Sequence, residues 1–133
     1  MTDISFFSSF IGFFLILTPL VFIHELGHYL AAIKSGVKVE TFSIGFGPEL
    51  IGFTDVRNTR WKFSLIPLGG YVKMKGELIN INNDPEQKTF NKDTFLEASL
   101  FSRILIVISG PIANLILGLL LITGIYIFHG KYV

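Results

Sequence analysis

Two long apolar blocks bracket a more polar, patterned middle. From Ile4 to Ile23 the chain carries no charged residue, and after His28 the apolar run resumes with Tyr29 to Ile33. From Ile104 to Phe128 it is again free of charge. Each block exceeds the roughly 20 residues that a helix needs to cross about 30 Å of hydrocarbon. Two membrane-spanning helices are the economical expectation. A cleaved signal peptide would want a positive leading region, and no Lys or Arg precedes Lys34. Helices buried in a soluble core are the other reading, yet two such stretches in 133 residues leave little polar material to cover them.

Between the blocks the period changes. Lys34-Ser35-Gly36 carries the signal of a helix end, a cation in the last turn followed by glycine. Val37, Val39 and Thr41 then alternate with Lys38, Glu40 and Phe42, and Trp61, Phe63 and Leu65 alternate with Lys62, Ser64 and Ile66. Turn signals at Gly45-Phe46-Gly47-Pro48, Arg57-Asn58-Thr59 and Pro67-Leu68-Gly69-Gly70 divide the segment into three or four short strands in hairpins. It is apolar enough to lie against a membrane face. Glu77 to Lys92 is polar, with a loop signal at Asn82-Asn83-Asp84-Pro85, and Thr94 to Arg103 is compatible with a helix leading into the second block.

The expected fold class is therefore a mainly α membrane protein, with two transmembrane helices joined by a cytoplasmic, membrane-associated β-hairpin segment. Its divisions are a first membrane helix at 1–33, a β-rich segment at 34–80, a polar loop with a lead-in helix at 81–103, a second membrane helix at 104–128, and a tail at 129–133. Ten of the eleven Lys and Arg residues fall between Lys34 and Arg103. Because Lys and Arg set orientation, the middle is expected in the cytoplasm and both termini outside it. A net charge of +1 gives no footing for a nucleic-acid partner. The absence of cysteine excludes disulfides and thiolate metal sites.

His24-Glu25-Leu26-Gly27-His28 is an H-E-x-x-H pentapeptide near the end of the first block. Positions i and i+4 share a helix face, so both imidazoles can bind one zinc ion while Glu25 serves as base toward a water. Pro19, a few residues upstream, removes one backbone donor and is expected to bend the helix. Three ionisable groups in an uncharged span cost several kcal/mol unless they are partnered or functional. The bland alternative is a polar cluster bonding to a neighbouring helix. Asn114 lies about 15 Å into the second block, counted from Ile104. That depth is compatible with a position near a metal held by the two imidazoles, where its amide would orient substrate or stabilise an oxyanion, and equally with an interhelical hydrogen bond. Gly110 and Gly118 are expected to permit close helix packing.

Phe22-Ile23-His24-Glu25-Leu26-Gly27-His28-Tyr29-Leu30-Ala31-Ala32 resembles the first active-site helix of the site-2 protease family of intramembrane zinc metalloproteases. Phe42-Ser43-Ile44-Gly45-Phe46-Gly47-Pro48 and Pro67-Leu68-Gly69-Gly70-Tyr71-Val72-Lys73-Met74 resemble its β-rich loop. Phe90-Asn91, Arg103 and Ser109-Gly110-Pro111-Ile112-Ala113-Asn114 resemble the approach to and core of its next helix, where Ala is more usual than Ser109. The nearest branch comprises bacterial enzymes that cleave anti-sigma factors. The resemblance implies Zn2+ as cofactor, His24 and His28 as metal ligands, Glu25 as catalytic base, and a multi-pass location in the bacterial inner membrane. It implies a membrane-spanning protein as substrate and the lipid bilayer as surroundings.

A catalytic zinc normally has three protein ligands and a water. The family draws its third from a Leu-Asp-Gly motif on a later helix, and no such motif occurs here. His129 lies roughly 37 Å beyond Ile104 along a helix and is set aside. Asp84, Asp93 and Glu97 carry no ligand spacing. The chain is thus expected to be an amino-terminal portion that needs a carboxyl-terminal half or partner chain to supply the third ligand. The alternatives are a non-catalytic truncated remnant and a membrane interaction protein. An exposed strand edge at Lys38 to Ile44 is expected to pair with unwound substrate by β-addition.

Overall fold

The computed structural model describes residues 2–76 and 93–130, so the loop around Asp84 and the tail from Lys131 lie outside the described residues. Four elements follow in order: α1 (Thr2–Lys34), β1 (Val39–Thr54), β2 (Arg60–Met74) and α2 (Leu100–His129). Both helices are long and apolar enough to cross a membrane. Helix α1 runs unbroken through Pro19. From Asp3 to His24 it rises about 32 Å, close to one hydrocarbon thickness.

Helix α1 stops where its last residues predict. Gly36 has φ 78°. Its N–H donates to the Ile33 carbonyl (3.0 Å), and the Val37 N–H donates to the Ala32 carbonyl (2.9 Å). These two bonds form a Schellman cap, which satisfies the otherwise orphaned carbonyls of the last turn. Ser99 opens α2, its hydroxyl accepting the Ser102 N–H at 3.1 Å. Residues 93–98 form turns, so the helix expected from Thr94 begins six residues later.

The middle forms two continuous strands rather than three or four separate ones, and it folds where the turn signals fall. It forms one antiparallel ribbon of two strands, 16 and 15 residues, that stay paired through Gly45–Pro48 and Pro67–Gly70 but double back there, so that Ile51–Thr54, Arg60–Phe63, Thr41–Ile44 and Gly70–Met74 lie side by side. Gly45 and Gly47 take positive φ (88° and 85°) where β1 changes direction while staying paired with β2. The tip of the hairpin is at Arg57-Asn58-Thr59, where Asn58 takes φ 59°. The ribbon also folds on itself. Phe42 pairs with Val72 on one side and Trp61 on the other, and Ser43 with Tyr71 and Lys62. The segment at Thr41–Ile44 is therefore interior, not the free edge expected of it. Two runs have a strand partner on one side only among the described residues, Glu49–Thr54 and Gly70–Lys73, and the second is the one beside the helices.

The core is small and sits where the ribbon meets the end of α1 and the start of α2. Tyr29, Ala32, Val37, Val39, Phe42, Val72, Met74 and Ile106 form it. The simple alternation fails after Val39, because the register shifts there and buries Phe42 in place of Thr41. Phe42 stacks on Trp61 with centroids 4.4 Å apart, and Tyr29 meets Trp61 edge-on at 4.9 Å.

Asp55 holds the reversal together. Its carboxylate accepts from the Trp61 indole (2.9 Å) and from the Arg57 and Thr59 amides (2.8 and 3.0 Å). The Trp61 bond is the main cause that holds its pKa below the ordinary aspartate value, with the backbone bonds adding to it. A lowered folded-state pKa means the contribution is present above the unfolded pKa and is lost as pH falls through the folded one. Trp61 is the sole tryptophan. Its emission in micelles is expected to hold steady down to about pH 3.9, the ordinary aspartate range, and to change only below it. Asp55→Ala is expected to show the altered emission already at neutral pH. A step at or above the ordinary range in the parent chain contradicts this assignment.

Candidate metal centre

His24, Glu25 and His28 lie on α1 where α2 and the ribbon close on it. The helix fixes the two imidazoles one turn apart, and close approach of α2 confines them. Gly27 makes that approach possible: a β-carbon there would stand 2.8 Å from Ala113 Cβ and would collide with the Ser109 carbonyl oxygen. Gly110 faces the imidazoles themselves. A β-carbon on it would lie 2.6 Å from His28 Cε1 and 2.8 Å from His24 Nε2. Gly118 faces open space, so the packing role expected of it falls instead to Gly27.

The two Nε2 atoms are 3.2 Å apart. Two zinc–nitrogen bonds of about 2.05 Å at a tetrahedral angle set their nitrogens about 3.3 Å apart. The ring geometry thus fits a shared metal. His28 Nδ1 is 2.6 Å from the Ile106 carbonyl oxygen. A carbonyl only accepts, so Nδ1 carries the proton and Nε2 keeps its lone pair. The Asn114 amide reaches His24 Nδ1 on the far side, Nδ2 to Nδ1 being 3.3 Å, while Asn114 Oδ1 is buried without a partner. Each imidazole is thus tied through the nitrogen that faces away from the other.

Glu25 lines a cavity of about 270 Å³ together with His28, Gly70, Tyr71, Val72 and Ile106. The Gly70 backbone lies over it, since a β-carbon on Gly70 would sit 3.3 Å from Glu25 Cγ. No hydrogen bond or ion pair ties down the Glu25 carboxylate among the described residues. That leaves it available as a base facing the open volume.

Among the described residues no group of three His, Cys, Asp or Glu side chains converges on one point. Asp93 is held by Lys75, both carboxylate oxygens lying 3.0 Å from Nζ. Glu97 is exposed. His129 sits about 22 Å beyond Asn114 along α2, in a separate recess with Ile122, Ile125 and Tyr126.

Residues 12–132 match Peptidase family M50. The chain belongs to that family. A provisionally named zinc metalloprotease of Rickettsia conorii is 47% identical over 123 residues, covering 92% of this chain and 34% of the relative. Similarly named proteins of Agrobacterium fabrum and Mesorhizobium japonicum are 43% and 38% identical, covering 92% and 96% of this chain and 34% and 37% of theirs. The chain spans about a third of the length of the curated relatives it matches. His24, Glu25 and His28 all lie within the matched residues.

The backbone carbonyl of Ile106 was not among the candidate groups read from the sequence. Every residue carries such a carbonyl, so nothing at Ile106 itself marks it. Ser109 is the nearest cue, its hydroxyl donating to that same carbonyl at 2.6 Å.

Proposed function

We propose that this chain is the amino-terminal, zinc-binding portion of an intramembrane metalloendopeptidase that hydrolyses peptide bonds of membrane-spanning proteins. The observation that carries it is the 3.2 Å separation of His24 Nε2 and His28 Nε2, beside a carboxylate that faces a cavity. The exposed apolar surfaces of both helices support a lipid setting. Phe6, Phe13, Leu15, Leu119 and Ile127 are all more than half exposed, and a contiguous surface of that kind is not sustained in water. The Lys and Arg bias supports a cytoplasmic face for the motif end of α1 with both termini outside, and the bacterial relatives support an inner-membrane setting.

In this reading His24 and His28 hold the metal through Nε2, and a further ligand comes from a carboxyl-terminal half or a partner chain. Zinc held there supplies Lewis acidity, polarising a peptide carbonyl and lowering the pKa of water. Glu25 takes the proton of the attacking water and delivers it to the leaving amine. The Gly70–Lys73 edge lies against the Glu25 cavity, and an extended stretch of substrate can pair with it by strand addition. This replaces the Lys38–Ile44 edge, whose two sides are already taken.

The test uses this chain assembled with the segment that completes it, on a substrate with one membrane span. Cleavage is expected to disappear on chelation and to return on adding zinc. Cleavage that persists after zinc is removed rules the reading out. A preparation with no zinc dependent on His24 and His28 favours a non-catalytic remnant, in line with the pair of donors found among the described residues.

A further inference from the structure

We infer that Asn114 is a positioning residue for the metal site: its side-chain amide sets which nitrogen of His24 carries the proton, and it turns over when metal is taken up. The inference rests on the zinc-protease reading above and assigns a task to a residue on the other helix.

The polar groups form a relay with one direction. It ends on the Ile106 carbonyl, which only accepts, so His28 donates from Nδ1 (2.6 Å). With neutral rings, His28 Nε2 then accepts, and His24 Nε2, 3.2 Å away, donates to it. His24 Nδ1 is left as an acceptor, and Asn114 Nδ2 donates to it at 3.3 Å. Every role in the chain Asn114, His24, His28, Ile106 follows from the carbonyl at its end. Its cost falls on one atom, the buried and unpartnered Asn114 Oδ1.

That arrangement suits a metal-free site and is wrong for a loaded one. A metal bound by both rings needs the lone pair of His24 Nε2, so the proton there must move to Nδ1. An Nδ1–H facing the Asn114 NH2 sets two donors against each other. Turning the amide by about half a revolution brings Oδ1 to Nδ1 as acceptor, giving the orphaned oxygen its partner. The amide then does for His24 what the Ile106 carbonyl does for His28. Partners of this kind fix the ring orientation and raise ligand basicity, and losing one typically costs 10–100-fold in metal affinity.

This differs from the two roles weighed for Asn114 from its depth alone. It is an interhelical hydrogen bond, but one whose receiving group is a metal ligand. It leaves the amide no part in holding an oxyanion.

The experiment compares zinc affinity, and the cobalt absorption spectrum of metal-substituted protein, for the parent assembled chain, Asn114→Leu and Asn114→Asp. Leucine is near in size and accepts nothing, so zinc binding is expected to weaken about 10–100-fold. Aspartate accepts from Nδ1–H without turning, and is expected to keep affinity at or above the parent level. Nitrogen NMR of the His24 ring is expected to show the proton on Nε2 without metal and on Nδ1 with it. Parent-like zinc affinity in Asn114→Leu, with cleavage reduced, overturns the inference and returns the amide to the substrate. Equal loss in both variants also overturns it, because the acceptor is then not what matters. If the parent chain itself binds no zinc through His24 and His28, the protease reading fails first.

Discussion

Glu25→Gln is expected to lower cleavage of a membrane-spanning substrate by about 10²–10⁴-fold, the usual contribution of a general acid–base group, while zinc content stays at the parent level. The substitution keeps size and hydrogen-bonding reach and removes only the ability to accept and return a proton. Glu25 lines the cavity with His28 and has no hydrogen bond or ion pair among the described residues that glutamine would break. The proposed metal donors are His24 and His28, whose ring ties run to Asn114 and Ile106 rather than to Glu25. Metal content and activity therefore separate in this variant, whereas replacing either histidine lowers both. Parent-like cleavage removes Glu25 as the base. Loss of zinc along with activity makes it a structural support of the site instead.

What could be read along the chain is what depends on short spacing. The i, i+4 pair of histidines, the glycine stop after Lys34 and the reversal at Asn58 are local, and each sits where its residues indicate. The turn signals at Gly45–Pro48 and Pro67–Gly70 mark where the ribbon doubles back. What local reading missed is that pairings such as Phe46 with Ile66 and Ile44 with Gly70, made across 20 residues or more, keep both strands continuous through those bends. The switch of buried face from Val39 to Phe42 has the same origin. Most of the site lay beyond local reading. Asn114 and Ile106 come to the imidazoles from about 80–90 residues away, and only the crossing of α1 and α2 brings them there. Depth along a helix placed Asn114 at the right level but could not say what it faces. Gly110 and Gly118 look alike in sequence, and only the contact between helices distinguishes the one that meets the histidines.

That distinction yields the sharpest steric prediction. Gly110→Ala is expected to weaken zinc binding by more than about 100-fold, beyond the 10–100-fold attached to losing an outer partner, and to remove cleavage with it. The added methyl would stand 2.8 Å from His24 Nε2, 2.6 Å from His28 Cε1 and in collision with His28 Nε2. Neither ring can retreat without loss. Moving His28 breaks its bond to the Ile106 carbonyl, and moving His24 breaks its contact with Asn114. Separating the helices instead would undo the packing of Gly27 against Ser109 and Ala113. Gly118→Ala is the matched control on the same helix. Its methyl meets nothing within 4 Å, and alanine is the better helix former by about 1 kcal/mol. It is expected to bind zinc and cleave substrate like the parent. Measured side by side, two identical substitutions two turns apart on α2 test whether the metal sits where these imidazoles converge. Zinc retained in Gly110→Ala means that the ligands meet elsewhere.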